Sequence, residues 1–197
     1  LKPAARSSSA RGSGSGTVSY TVATNTGGAR SGTITVAGQT FTLSQAAAAV
    51  VGGTRLVNIS TRGQVLTGDN VMIGGFIIGG SSPKTVLVRA RGPSMIPAGV
   101  LNAMANPQLT LVNQSTAAII GTNDNWGDAV NASAITATGK APTNAFESAI
   151  LVSLNPGAYT AVVSGVGNTT GVGIIEVFEI DGPAIPLTNI STRGRVL

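Results

Sequence analysis

Oxygen-bearing side chains are concentrated in the segment TNDNWGD at residues 122–128. Asp124, Asn125 and Asp128 supply hard oxygen ligands close together, and Asp69 in the polar turn TGDN is a candidate fourth ligand. The spacing differs from that of an EF-hand loop, and Asp and Asn also form turns by bonding their own backbone. The segment therefore predicts either a structural turn, which is the favoured interpretation, or a calcium site. Calcium is the one cofactor that the sequence suggests.

The single Trp of the chain, Trp126, lies in the same segment. An exposed Trp ring can stack on a sugar, whereas a Trp in a β-sandwich commonly fills a gap in the core. Both interpretations stay open for Trp126, and core packing is the favoured one.

Composition excludes most catalytic chemistry. The 197 residues contain no Cys and no His, so a Cys nucleophile, a His general base and a Cys/His zinc site are all excluded. A pair of carboxylates for glycoside hydrolysis remains, but nothing in the sequence places two of the seven acids together. Glu176 shares a strand face with Phe178 and Ile180. We expect Glu176 to pair with Arg89 or Arg91, and we predict that the protein is not an enzyme.

The net charge of +5 at pH 7 reflects scarce acids more than a basic patch, because the 12 cations are scattered. Nucleic-acid binding also needs aromatic side chains interleaved with basic ones, and that pattern is absent from the sequence. Apolar runs such as VMIGGFIIGG are short and broken by Gly, so none approaches the ~18 residues of a membrane span. We therefore predict no nucleic-acid partner and no membrane span.

Glycine at 27 residues, with abundant Ser, Thr, Val and Ile, favours short strands joined by tight turns. Residues 1–16 are rich in Ser, Gly and Arg and predict a flexible arm. Residues 17–46 contain three alternating segments that predict strands, the first within TVSYTVATN. Residues 47–54 predict a linker. The sequence therefore predicts an all-β protein.

The segment GTVSYTVATNTGGARSGTITVAGQTFTLSQA resembles the second half of a BACON-type domain, a bacterial immunoglobulin-like sandwich. The resemblance covers about residues 14–46 and rests on the pattern R-x-G-x-I-x-V-x-G followed by a strand that closes on Gln. It implies a partial immunoglobulin-like sandwich at 17–46. It also implies carbohydrate or mucin binding, although the aromatic platform for such binding is not visible in this half.

Residues 55–186 contain about nine further strand segments, with a strong turn signal at Asn155-Pro156-Gly157. Two helical signals interrupt them, GVLNAMA and a weaker one in AVNASAITATGK. The stretch SLNPGAYTAVVSGV and the strand EVFEID resemble the closing strands of pre-peptidase C-terminal-type jelly rolls. The order NISTRG, IGGFIIGG, TNDNWGD, LNPGAYTAVVSGVG resembles a module found in tandem in large secreted bacterial proteins. The resemblance implies a jelly-roll-like β-sandwich, secretion to the exterior or cell surface, and tandem architecture.

An eleven-residue segment occurs twice. LVNISTRGQVL at 56–66 and LTNISTRGRVL at 187–197 agree at nine positions, at an offset of 131 residues. The first copy opens the sandwich, whereas the second is an extra C-terminal strand with no domain of its own to follow it. We therefore expect an orphan strand at 187–197 that connects subunits, through Leu187, Asn189, Ile190, Ser191, Arg193, Val196 and Leu197.

Two classes of function follow from these observations. In the first, the protein is an extracellular structural subunit of a head-to-tail filament or surface array. Its partners are other copies of itself or neighbouring repeats, joined by strand addition. In the second, it is a carbohydrate-binding or adhesive accessory module of a large secreted bacterial protein, with a polysaccharide as its partner.

Overall fold

The structure, a computed structural model, describes residues 20–25, 28–46, 56–182 and 186–195. The chain divides into two units, and the boundary lies between residues 53 and 54. That boundary falls inside the predicted linker 47–54. The linker and the predicted arm 1–16 both lie outside the described residues.

The described part of the N-terminal unit is a β-hairpin of β1 (Arg30–Val36) and β2 (Gln39–Gln45). Both turn residues between them, Ala37 and Gly38, have positive φ, which suits the twist of a tight hairpin. The expected strand in TVSYTVATN is wrong for residues 20–25, which lie in no ladder. Side chains bind this segment instead, because the carbonyl of Ala23 accepts hydrogen bonds from Arg30 Nη2 (3.1 Å) and Gln45 Nε2 (3.0 Å).

The second unit is a sandwich of two antiparallel sheets. Alternating apolar residues form its strands, which are β3 (Asn58–Val65), β4 (Met72–Ile78), β5 (Lys84–Arg91), β6 (Pro107–Asn113), β7 (Ile119–Asn123), β8 (Ser148–Leu154), β9 (Gly157–Gly165), β10 (Gly171–Glu179) and β11 (Leu187–Arg193). One sheet has the order β3-β10-β5-β8 and the other β11-β4-β9-β6-β7. Apart from the hairpin β6–β7, consecutive strands cross from one sheet to the other, as in a jelly roll. The predicted all-β fold class is confirmed.

The core lies between the two sheets, where every second side chain of a strand points. Buried residues from eight strands meet there, among them Val65, Phe76, Val88, Leu111, Leu154, Val163, Ile175 and Leu187. The sheets approach closely at Gly74 of β4, where an added Cβ would lie 2.9 Å from the Ile175 Cδ1 atom of β10. Gly74 therefore permits this approach.

The outer face of the four-stranded sheet is covered by the segment between β7 and β8. This segment contains a 3₁₀ helix (Trp126–Asp128) and helix α1 (Ala132–Ala137), which packs Ile135 against Leu87 and Ala149. The helix expected in GVLNAMA is wrong. The 3₁₀ helix Pro93–Ala98 precedes it, and Ala103 forms a bridge with Val172 instead. Among the described residues, no helix has the length and apolarity to cross a membrane.

The second copy of the repeated segment is not an orphan in this structure. Strand β11 pairs along its length with β4 of the same chain, so it forms the edge of the five-stranded sheet. Leu187 is 2% exposed within the core. The expectation of an unpaired strand is therefore corrected, because the edge of β4 is available to β11 within its own sandwich. Val196 and Leu197 lie outside the described residues.

The two copies of the repeat lie side by side. β3 is the edge strand of one sheet and β11 of the other, and isolated bridges join Leu56 to Leu187 and Gln64 to Arg195. Both bridged pairs are 131 residues apart, which is the offset of the repeat. Equivalent positions of the two copies therefore meet at both ends of one edge of the sandwich, and each of these bridges is locally antiparallel.

Candidate functional site

A groove with a volume of about 260 Å³ lies on the outer face of the five-stranded sheet, across β11, β4 and β9. This face is not covered by the segment that covers the other sheet. Its floor is formed by Gly75 of β4 and Ala158 of β9, which lie one position from the buried residues Phe76 and Tyr159. Because side chains alternate along a strand, these small residues point outward and leave the groove open.

Gly75 leaves room for its neighbour in β11. The two strands pair Ser191 with Gly75, and a Cβ added at Gly75 would lie 2.5 Å from the Ser191 Oγ atom. A side chain at this position would have to turn the serine hydroxyl away and would narrow the groove.

The groove is uncharged, and apart from the apolar side chain of Ile77 its walls are polar. Gln114, Thr160, Asn189 and Ser191 line it, and Gln114 Nε2 donates a hydrogen bond to the Thr160 hydroxyl. Amide and hydroxyl groups both donate and accept hydrogen bonds, so they suit a ligand with many hydroxyl groups. Asn189 and Ser191 belong to the predicted connecting strand, and the structure places them in this groove. Arg193 of the same strand donates from Nη2 to the carbonyl of Asp69 at 3.0 Å.

The predicted calcium ligands are not brought together as one set. Asp69 lies in the 3₁₀ helix Gly68–Asn70 between β3 and β4, whereas Asp124, Asn125 and Asp128 follow β7 at the opposite edge of the sandwich. Within the described ranges, no three Asp or Glu residues form a group that could hold a metal. Asn125 Oδ1 is buried and accepts no hydrogen bond in the described part of the chain. Calcium at residues 124–128, without Asp69, stays a prediction.

Asn123, which sequence reasoning did not single out, fixes the start of this loop. Its Oδ1 accepts the N–H of Ala149 in β8 at 2.9 Å, and its Nδ2 donates to the carbonyl of Asn125 at 3.0 Å. The side chain thus joins the end of β7 to the edge of β8. An Asn next to two further polar residues has no sequence signal that distinguishes this role from an ordinary turn.

Trp126 packs against the cluster of Leu87, Ile135 and Ala149 and donates from Nε1 to the carbonyl of Asn144 at 3.2 Å. Its ring is half-buried. These contacts support the interpretation in which Trp126 packs against a core. Stacking of a sugar on Trp126 stays a prediction.

Paired charges lie on the covered face of the four-stranded sheet. Arg89 of β5 lies opposite Glu176 of β10, with 2.5 Å between Nε and Oε2, and the Arg91 Nη1 atom is 3.9 Å from the same oxygen. The Arg89 guanidinium also lies over the ring of Phe178, 4.7 Å from its centroid. Glu176 therefore has both arginine neighbours that the strand pattern predicted, which fixes its carboxylate in a structural ion pair.

A second charged cluster closes one end of the sandwich. Lys84, at the start of β5, is fully buried, and its amine contacts Glu179 and Asp181 at the end of β10. Burial raises the pKa of the Asp181 carboxyl, but hydrogen bonds from Lys84 and Thr85 outweigh that effect and hold the pKa below its ordinary value. The sequence gives no signal for this cluster, because SSPK is a pattern typical of an exposed loop.

The comparisons with known proteins concern the two units separately. Residues 4–46 match the BACON family, described as "Putative binding domain, N-terminal". The predicted resemblance of residues 14–46 to this family is confirmed. The match covers less than a quarter of the chain.

Among solved structures, the chain is similar to the pre-peptidase C-terminal domain of collagenase from Bacillus anthracis, at 15% sequence identity and a TM-score of 0.39. The similar region covers 61% of this chain and 89% of that one. No curated protein matches the sequence.

Proposed function

We propose that this chain is a non-catalytic binding module of a secreted bacterial protein, and that it holds a neutral polysaccharide on the outer face of its five-stranded sheet. The observation that carries the proposal is the groove lined by Gln114, Thr160, Asn189 and Ser191. It is open, polar and uncharged. An extended polymer could lie across it in the direction from β11 to β9.

The charges of the sandwich support a neutral ligand. Among the described residues that line the groove, none is charged, whereas Glu147, Glu176, Glu179 and Asp181 all take part in ion pairs elsewhere. Neutral sugars need paired donors and acceptors, which the amide and hydroxyl groups supply. Tyr159 and Phe76 point into the core, so the binding energy would come from hydrogen bonds without ring stacking. We therefore expect a single module to bind weakly.

The N-terminal unit supports the same role. The family that residues 4–46 match is described as "Putative binding domain, N-terminal". The resemblance of residues 55–186 to tandem modules of large secreted proteins implies several copies on one chain. Linked modules raise the avidity for a repeating polymer far above the affinity of one site.

Affinity electrophoresis in gels that contain a neutral polysaccharide tests this function. Ala158→Arg places a long side chain over the groove floor and should abolish the retardation of the protein in the gel. Thr122→Arg is the matched control, because Thr122 lies exposed on the same sheet, opposite Thr110 and outside the groove. It should migrate as the unchanged chain does. Equal retardation of both variants would contradict binding at this groove.

A filament joined through residues 187–197 is the second candidate function. The observation in its favour is that β11 is an edge strand whose sequence nearly copies β3, the edge strand of the other sheet. Exchange between chains would require β11 to leave β4 and expose Leu187. Sedimentation velocity over a range of protein concentrations distinguishes the two functions. Concentration-dependent polymers would support the filament, and a constant monomer would exclude it.

A further inference from the structure

The amine of Lys84 lies in a shell of oxygen atoms at one end of the sandwich. It contacts Glu179 Oε1, lies 2.8 Å from Asp181 Oδ1, and donates to the carbonyl of Gly182 at 3.2 Å. The Lys84 side chain is 0% exposed and that of Glu179 is 2% exposed. A fully buried ammonium is costly to desolvate, and pairing recovers only part of that cost.

The carboxyl group of Asp181 is held at both oxygens. Oδ1 accepts from the Lys84 amine, and Oδ2 accepts from the backbone N–H of Thr85 at 2.5 Å. Lys84 begins β5 and Asp181 follows β10, the neighbouring strand in the four-stranded sheet. An amine and a carboxyl group 97 residues apart in sequence are thus fixed side by side by the ladder between these strands.

We propose that Lys84 and Asp181 condense to an intramolecular amide, an isopeptide bond across the end of β5 and β10, with Glu179 as the proton carrier. The atoms that meet at this point are a nucleophilic nitrogen, a carboxyl carbon polarised by an N–H, and a second carboxylate in contact with the nitrogen. The ladder already holds the reacting groups side by side, so the reaction avoids the entropy cost of bringing them together.

The step balances without an oxidant, a reductant or an activated group. Glu179 takes a proton from the Lys84 ammonium and passes it to Oδ1 of Asp181, and the neutral amine then attacks the carbon of this protonated carboxyl group. The negative charge that develops on Oδ2 is stabilised by the Thr85 N–H, as in an oxyanion hole. Oδ1 takes a second proton from the nitrogen and leaves as water. The C–N bond replaces the C–Oδ1 bond, and Glu179 regains its initial state.

The surroundings favour condensation over the ion pair. Condensation replaces two opposite charges by one neutral amide, so the desolvation cost of the buried ammonium disappears. The amide N–H can donate to the Glu179 carboxylate. The Asp181 side chain is 40% exposed, so the water that is released has a path to the solvent.

Intact-mass spectrometry of the full chain, denatured before injection, tests the proposal directly. The unchanged protein should weigh less than its sequence requires by one water molecule. Trypsin should fail to cut after Lys84 and should give a branched peptide that joins residues 63–89 to residues 141–193. Fragmentation of that peptide should place the branch at Asp181. A full sequence mass with normal cleavage after Lys84 would overturn the proposal.

Three variants separate the roles of the residues. Asp181→Ala should retain its full sequence mass, and a loss of water in that variant would overturn the assignment to Asp181. Asp181→Asn should lose one ammonia molecule in place of water, a signature that a folding defect cannot imitate. Glu179→Gln should form the bond at least tenfold more slowly after synthesis, while a cooperative thermal transition shows that it is folded. Formation at the unchanged rate would overturn the role of Glu179. Glu176→Gln, which alters the other ion pair of β10, is the matched control and should cross-link fully.

Discussion

Glu147 is a carboxylate with no exposed surface at the end of the segment that covers the four-stranded sheet. Its Oε1 accepts the backbone N–H groups of Gly92 (2.9 Å) and Ser94 (3.0 Å), and its Oε2 lies 4.0 Å from the Arg91 Nε atom. The carboxylate thereby satisfies the turn that follows β5. Charged hydrogen bonds of this kind are among the stronger ones in proteins.

Glu147→Leu should lower the free energy of unfolding by about 2–4 kcal/mol, because two backbone N–H groups in or near the core lose their acceptor. Glu147→Gln keeps an acceptor oxygen for both and should cost about 1 kcal/mol. Urea denaturation of the two variants measures the difference. A Leu variant as stable as the Gln variant would show that the turn does not depend on Glu147.

Gly92 is a second residue that the turn requires. A Cβ added there would lie 2.1 Å from the carbonyl oxygen of Met104, whose side chain is fully buried. Gly92→Ala should therefore cost about 1–3 kcal/mol through backbone displacement, as overpacked cores do. Gly127→Ala is the control, because no atom lies within 4 Å of the position of its Cβ. Thermal melting of both variants tests the expectation, and equal melting temperatures would contradict it.

At the scale of single residues, the sequence predicted the ion pair whose members lie within clear strand patterns. The face shared by Glu176, Phe178 and Ile180 follows from the period of a strand, so the pairing of Glu176 with arginines could be predicted. The pairing of Lys84 could not, because Lys84 follows a segment typical of an exposed loop and burial of a Lys has no local pattern. The groove also escaped prediction, since Gly75 lies opposite Thr160, and Ile77 opposite Ala158, only when β4 pairs with β9.

Edge strands are the elements through which a sandwich can pair with other chains, because their outer backbone groups lack a ladder partner. At the edge of β8, two side chains bond the free backbone groups. Asn123 accepts the N–H of Ala149, and Asn131 donates to the carbonyl of Leu151. At the other edge of the four-stranded sheet, β3 lies beside β11. β7, the other edge of the five-stranded sheet, is only five residues long and exposes Ile119.

The repeated segment permits a test of β11 within one molecule. Leu56 and Leu187 are equivalent residues of the two copies, yet Leu56 is 42% exposed and Leu187 is 2% exposed. Leu187→Ala should cost about 2–4 kcal/mol of stability, as other buried leucines do. Leu56→Ala should cost less than about 1 kcal/mol. Denaturation in urea compares them. Equal costs would mean that β11 does not occupy the edge of β4 in solution.

Strands with a clear period and a strong turn were predictable, as in β9, which follows Asn155-Pro156. The position of β11 at the edge of the five-stranded sheet was not predictable. Its alternation showed that it is a strand, but the choice between its own sandwich and another chain depends on which sheet edge is free. That information lies in the pairing of β4, more than 100 residues earlier.

The whole chain consists of two units whose boundary lies between residues 53 and 54. The second unit has its own core, to which strands of both sheets contribute. A fragment of residues 54–197 should therefore melt within about 2 °C of the sandwich transition of the full chain, since a shift of 4–8 °C accompanies the loss of about 1 kcal/mol in small domains. Differential scanning calorimetry measures both. A fragment that melts much lower would show that the N-terminal unit stabilises the sandwich.

The position of the two repeated strands along one edge also determines how the sandwich would respond to tension. Leu56 lies beside Leu187 and Gln64 beside Arg195, so the chain enters at one end of the edge and leaves at the other, about 27 Å away. Tension between residues 56 and 195 would act along β3 and β11, parallel to the strands and across the bonds that join them to β10 and β4. Such a load shears all the bonds of a ladder together, whereas a perpendicular load unzips them in turn. The same edge strands that close the sandwich would make it stiff under stretching.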